Sequence, residues 1–356
     1  MSPLQDIRIL DFTELLPGPF LTQNLVEMGA TVIKIERPPH GDNARLMAPG
    51  VFQAANRGKQ SIQIDLKSAE GREQIEQLLD TVDVVLEAYR PGVMKRLGLD
   101  YASLSARFPK LIYASLSGYG QTGARALWPG HDLNYQAASG ALALSGLPDG
   151  RPEHVFGLPA ADLCGSMYGM SAVLAALFQR SKTGKGQYLD VALADCLAHW
   201  MNPRLGSFAA QGLRTVAQQR RDVLDKPAYG VFLCSDNKEI TICALENHFW
   251  QRLVEVLTLD AFSEQVFMSY EHRAHHAGAI RKAIAERVRT RGSAELLSAL
   301  VAADVPVMLL VQPSDLLRES AAAGRELQAH DGSSFLRFPV QLTGMSDVTR
   351  TSSTTE

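Results

Sequence analysis

His131 sits in the run Gly130-His131-Asp132-Leu133-Asn134-Tyr135, and Asp162 opens Asp162-Leu163-Cys164-Gly165-Ser166 about thirty residues later. Each stands where a glycine-flanked loop gives way to a helix. An imidazole and a carboxyl facing one carbon can take a proton from one side and return it on the other. Plainer roles fit the same residues. A histidine can serve as a capping or core residue, and an aspartate before a long helix can be an N-cap that accepts backbone N–H bonds in the positive field of the helix start. A helix start aimed at a ligand can also stabilise developing negative charge on oxygen.

Those junctions need a frame. Ile7–Phe12 reads as a buried strand, Pro17–Met28 as a helix and Thr31–Glu36 as a second strand, with Gly29-Ala30 as the turn. A βαβ opening of this kind signals a parallel sheet covered by helices. The alternation continues with strands at 61–65, 82–87 and 111–117 and a helix over 69–79, for which Ser68 is the N-cap. From Asp162 to Gln179 a strongly apolar helix runs into the basic turn 182–187, and Tyr188–Leu193 resumes as a strand. The segment 202–227 is polar, rich in Gln and Arg and without a clear period, so it reads as a linker. Beyond it, strands at 229–234 and 239–244 and helices at 248–257, 279–290 and 294–302 form a second unit, before the chain enters 305–311 and a polar tail ending Arg350–Glu356. The expected plan is a large α/β domain over 1–201, a linker over 202–227, a small α+β domain over 228–304, and a return linker and tail over 305–356 that packs on the large domain.

Bulk composition narrows the function. The 356 residues are 46% hydrophobic and 21% charged, ordinary values for a globular chain, with a formal charge of -3. That balance offers no basic excess for a phosphate polymer, so nucleic acid is not an expected partner. The four cysteines, Cys164, Cys196, Cys234 and Cys243, have neither CxxC nor metal-type spacing. They read as reduced packing thiols, with no metal expected. The opening Met1–Asp6 lacks the basic and apolar regions of a signal peptide, and no apolar run reaches the ~20 residues of a membrane span. A cytoplasmic location is the expectation, with no membrane partner.

A dinucleotide reading of the βαβ opening fails on its loop. Glu14-Leu15-Leu16-Pro17-Gly18-Pro19-Phe20 has one glycine, and its two prolines lack the N–H groups that would cradle a pyrophosphate. Three basic clusters nonetheless suit an anionic, nucleotide-bearing ligand: Lys34-Ile35-Glu36-Arg37-Pro38, Asn56-Arg57-Gly58-Lys59 and Tyr89-Arg90-Pro91-Gly92. They fall after predicted strands or at turns, where parallel sheets place ligands, and guanidinium forks match phosphate oxygens.

With these motifs, and with Leu16-Pro17-Gly18-Pro19, Gly120-Gln121-Thr122-Gly123, Gly130-His131-Asp132 and Lys182-Thr183-Gly184-Lys185-Gly186-Gln187, the chain resembles the class III CoA-transferases and α-methylacyl-CoA racemases over most of its length. The resemblance implies a Rossmann-like large domain, a smaller domain and two linkers, with two chains interlocked as rings in a homodimer. It assigns Arg37 and Arg90 to contacts with CoA, with Arg57 and Lys59 on the same binding surface. CoA would enter as part of an acyl-CoA thioester substrate, with no separate cofactor required.

Two reactions follow from that resemblance. In the racemases the residue matching Asp162 exchanges a proton with the α-carbon and His131 is its counterpart; Glu246, in Ala244-Leu245-Glu246-Asn247-His248, would hold the histidine, and Tyr229 would lie near the aspartate. In the transferases Asp162 attacks the thioester and forms a mixed anhydride. The histidine at 131, the glutamate at 246 and the absence of a glycine-rich loop in the small domain favour epimerisation of 2-methylacyl-CoA. CoA transfer is the alternative, and a non-catalytic acyl-CoA binder the third reading. On the first reading, backbone N–H groups following Asp162 would stabilise the enolate oxygen, and Met167 and Met170 would line an adaptable acyl surface.

Overall fold

The computed structural model describes residues 2–154, 157–322, 324–328 and 333–340. Six parallel strands form the main sheet: β1 (Arg8–Asp11), β2 (Thr31–Glu36), β3 (Gln60–Gln63), β4 (Val84–Glu87), β5 (Ile112–Ser117) and β6 (Tyr188–Ala192). Their order is β3-β2-β1-β4-β5-β6. β1 registers Arg8 against Thr31 and Asp11 against Lys34, and on its other side Ile9 pairs with Val84.

Side-chain alternation along each strand feeds two apolar layers, because successive residues point to opposite faces. Ile9, Val32, Val84, Leu86, Ile112 and Ala114 pack with Leu21 and Leu25 of the helix Pro17–Glu27 and with Met170 and Val173 of the helix Ala160–Thr183. Leu10, Ile33, Ile35, Val85 and Tyr113 face the other way, against Ile75 and Leu79 of the helix Ala69–Leu79. Central strands buried on both faces explain the near-continuous Val/Ile/Leu runs. Ser68 caps that last helix by accepting from Gly71 N–H, as its position in the sequence implies.

The helix Ala160–Thr183 is 24 residues long and apolar enough, by length and composition, to cross a membrane. This departs from the sequence expectation that no apolar run is long enough to span a membrane. Its apolar side packs on the sheet. Gly165 and Gly169 let it pack closely on the helices Leu193–Trp200 and Pro17–Glu27: a Cβ at those positions would lie 2.1 Å from Leu193 and 2.6 Å from Leu21.

The chain divides into two compact units, one comprising 1–145, 153–207 and 320–356, the other 146–152 and 208–319. The second is built on an antiparallel sheet of β7 (Tyr229–Leu233), β8 (Glu239–Cys243) and β9 (Val307–Leu309). Ile240, Ile242, Trp250, Leu253, Ile280, Ile284, Leu296 and Leu300 make its core. β9 pairs with β8, so this unit extends past the boundary expected at 304. The segment read as a linker without clear period carries two helices, Asn202–Gln211 and Val216–Leu224. Their stability comes from local and tertiary bonds rather than an apolar stripe. Thr215 and Gln218 cap the second helix reciprocally, and buried Arg220 donates to the Leu147 and Gly150 carbonyls. The tail Arg350–Glu356 lies outside the described residues.

Candidate active site

Strand order reverses between β1 and β4, and in doubly wound sheets ligands bind beyond the carboxyl ends of the strands at that switch point. Arg37 follows β2 and Arg90 follows β4, one on each side of β1. Strands spaced by about 4.8 Å put those two strand ends roughly 10 Å apart. Both arginines are exposed. Tyr89, beside Arg90 in the chain, feels Arg37 too: burial, then the negative charge of Glu14, pushes its phenol up to about 12 despite Arg37. Glu36 anchors the loop that carries Arg37. Its carboxylate accepts from Arg45 through both oxygens, from the Asp42 N–H at 2.7 Å and from Ser61. Burial alone would raise this carboxyl, but those donors hold it down at about 2.

The other two basic residues expected on this surface turn inward. The Lys59 ammonium is 2.9 Å from both the Pro19 carbonyl and Asn56 Oδ1 and 3.3 Å from Asp11 Oδ2, and its side chain is 1% exposed. With its donors committed, it organises the loop after β1 rather than presenting charge to a ligand. Lys34 extends the cluster, donating to the Thr13 carbonyl and pairing with Asp42 at 2.8 Å. Burial would raise Asp11, but Lys59 and Lys34 hold it below the ordinary carboxylate value. Burial likewise pulls Lys59 down to about 7, against the pull of Asp11. Arg57 is also engaged within the fold, pairing with Glu27 and donating to the Ala54 carbonyl.

Asp162 lies in the first turn of the helix Ala160–Thr183, whose N-cap is Pro159, so it is not the plain capping aspartate the sequence allowed. Asp132 caps this helix instead: its Oδ1 accepts from Ala161 N–H at 2.7 Å and from Asp162 N–H at 3.2 Å. At the start of the helix Asp132–Ala138 itself, the Asn134 side chain accepts from His131 N–H at 3.0 Å. The Asp132 contact joins the His131 loop directly to the Asp162 turn. Burial, and then the neighbouring Asp132 charge, raises the Asp162 carboxyl from 3.8 to about 7. A carboxyl held this way is half ionised near neutrality and poorly solvated when charged.

Packing fixes the same corner. The Tyr135 hydroxyl donates to the Gly130 carbonyl at 2.6 Å, and its ring fills the space above two glycines. A Cβ at Gly118 would lie 2.3 Å from that ring, and one at Gly130 2.7 Å. Ser166 Oγ lies 2.6 Å from the Pro17 carbonyl and 2.8 Å from that of Asp162, bringing the helix start against the loop after β1. His131 is exposed.

Two subsidiary expectations change, and the reading of Cys164 does not. Ala161 and Asp162 N–H groups are occupied by Asp132, Leu163 N–H donates to the Pro159 carbonyl, and later N–H groups lie within the helix, leaving no free backbone donors after Asp162 for an oxyanion. Met170 is a core residue, whereas Met167 is exposed. Burial pushes the Cys164 thiol up to about 12, as befits a packing residue.

Tyr229 and Glu246 belong to the second unit. Tyr229 starts β7 and is 47% exposed. Glu246 is exposed at the N-cap of the helix Asn247–Leu257, where its carbonyl accepts from Trp250 N–H. The turn around it is held by fully buried Arg273, which donates to Asn247 Oδ1, the Leu245 carbonyl, and the Phe267 and Met268 carbonyls. Sequence reasoning missed Arg273, since nothing near it in the chain marks its partners. Asp132 was visible within Gly130-His131-Asp132, but its bond to the start of the next helix was not. Among the described residues no His, Cys, Asp and Glu cluster forms a metal site.

The model of the CoA-transferase family III matches residues 4–351. An acetyl-CoA:oxalate CoA-transferase of Acetobacter aceti is 33% identical over 354 residues, 97% of this chain and 90% of its own length. The human α-methylacyl-CoA racemase is 33% identical over 264 residues, 72% of this chain and 65% of its own. A crystal structure of a CaiB/BaiF family protein from Brucella suis superposes with a TM-score of 0.84 at 30% identity, covering 96% of this chain and 93% of that one. These likenesses agree with the α/β fold and parallel sheet described above, and CoA enters this chemistry as part of the substrate. The chain belongs to the CoA-transferase family III and is an acyl-CoA-acting enzyme.

Proposed function

We propose that the enzyme moves CoA from a thioester to a carboxylic acid through a covalent intermediate on Asp162. The observation that carries this reading is the Asp162 carboxyl itself, buried, set beside Asp132 and raised to about 7. Its anion is poorly solvated, which favours attack on an electrophilic carbonyl. The Asp162 carboxylate adds to the thioester carbonyl, the C–S bond breaks, and the CoA thiolate leaves behind a mixed anhydride. The thiolate then attacks the aspartyl carbonyl, releasing the donor acid and leaving an aspartyl thioester. An acceptor carboxylate repeats these two steps in reverse order, which frees Asp162 and yields the new acyl-CoA. Arg37 and Arg90 hold the phosphates of CoA, while Lys59 and Arg57 support the fold beneath them. The homodimer implied by the family resemblance is part of this proposal, with Glu246 and Tyr229 as further candidate groups and the cytoplasm as its setting.

The comparisons support transfer better than the epimerisation that His131 first suggested, since the transferase relative aligns over far more of the chain than the racemase. The exposed His131 beside the Asp162 turn still favours proton exchange as the second reading. One experiment separates the two. Incubation with acetyl-CoA and hydroxylamine should convert Asp162 to its hydroxamate, detected by peptide mass spectrometry, and an added carboxylic acid should accept CoA. Deuterium uptake at C2 of a 2-methylacyl-CoA in D2O, without hydroxamate at Asp162, would overturn the transfer reading.

A further inference from the structure

A cavity of about 240 Å³ lies in the large unit behind the Asp132–Asp162 junction. It shares walls with the residues that hold the carboxyl. Gln136 donates its side-chain amide to Asp132 Oδ2, while Asp132 Oδ1 caps Asp162. Ala160 begins the Asp162 helix, two residues before the carboxyl. The rest of the wall is mostly aliphatic: Ala141, Leu142 and Leu144 from the turn after the His131 helix, and Leu197 from the helix Leu193–Trp200. Ser145 closes this turn, its hydroxyl donating to the Leu142 carbonyl and accepting from Glu153 N–H. Glu153 is the sole acidic residue in the lining, which has no lysine, arginine or histidine.

We infer that this cavity receives the acyl group of the thioester and selects a short, uncharged chain over a dicarboxylic one. The inference rests on the transfer reading for its position next to Asp162. A terminal carboxylate would lose water there, find no cation and meet Glu153, whereas an aliphatic chain would gain apolar contact. An apolar cavity of ~150 Å³ holds a benzene, so this larger space suits a chain of about six carbons.

Binding of unreactive thioethers tests the cavity without any chemistry at Asp162. Isothermal titration should find S-hexyl-CoA binding at least tenfold tighter than S-methyl-CoA, within the roughly 10- to 200-fold range of small apolar pocket discriminations. S-(5-carboxypentyl)-CoA should lose that gain. Ala141→Phe, which fills the space, should abolish the hexyl advantage while leaving S-methyl-CoA binding unchanged, and the unchanged value controls for folding. Glu153→Lys should restore binding of the carboxylated probe. Equal affinity for the three probes, or an undiminished hexyl advantage in both Ala141→Phe and Ala141→Leu, would overturn the inference. Hydroxamate formation at Asp162 with acetyl-CoA is scored separately, so a failed cavity and a failed catalytic reading give different results.

Discussion

Replacing Asp162 by Asn should make the protein more stable at alkaline pH than at acid pH, relative to the parent. The folded carboxyl titrates near 7 against an ordinary 3.8, so ionising it in place is unfavourable. Below the unfolded value both states hold the proton and the full stability contribution is present. As pH rises, the unfolded chain releases the proton first, and the contribution is lost progressively until the folded group ionises near 7. The full rise corresponds to about 4 kcal/mol at ~1.36 kcal/mol per pH unit. Asn cannot ionise, so its stability lacks this component. Urea denaturation of both proteins at about pH 5 and about pH 8 should show the difference moving toward the variant by about 3 kcal/mol. Any constant offset from the amide cancels in that comparison. A difference that stays flat with pH would refute the claim that Asp162 is strained as an anion.

Asp132→Asn keeps an oxygen for the Ala161 and Asp162 N–H groups but removes the charge, so the acid limb of kcat/KM should move to lower pH; an unmoved limb would mean that burial alone sets Asp162. Lys59→Met leaves the Asp11 carboxylate buried without its ammonium partner and should cost about 3–5 kcal/mol in chemical denaturation. A loss under about 1 kcal/mol would show that Lys59 does not hold the loop. Arg37→Ala and Arg90→Ala should each raise the KM for acyl-CoA about tenfold, more at low salt than at high, with kcat nearly unchanged; an effect on melting temperature instead would place them with Arg57 as fold residues.

Much of the sheet was legible because its signal is local. Thr31–Glu36 and the helix Ala69–Leu79 fall where pattern and cap put them, and β1, β4, β5 and β6 lie within a few residues of expectation. The helices at 202–211 and 216–224 were not legible, since reciprocal capping and the grip of Arg220 on Leu147 and Gly150 sustain them in a polar sequence. Of the site, the chemistry-bearing types at 131 and 162 stood out from their glycine-flanked junctions. Their electrostatic setting did not.

Residue order alone determined an α/β protein with a parallel sheet, two aspartates and a histidine at loop–helix junctions, and arginines after β2 and β4. Those follow from alternation, capping and turn chemistry, which act between near neighbours in the chain. Only the tertiary structure decided that Asp132 serves the helix of Asp162, that Lys59 faces Asp11 rather than solvent, and that Arg273 holds the turn of Glu246. Each depends on groups distant in sequence meeting in a low-dielectric interior, where position sets both hydrogen-bond partners and the cost of charge.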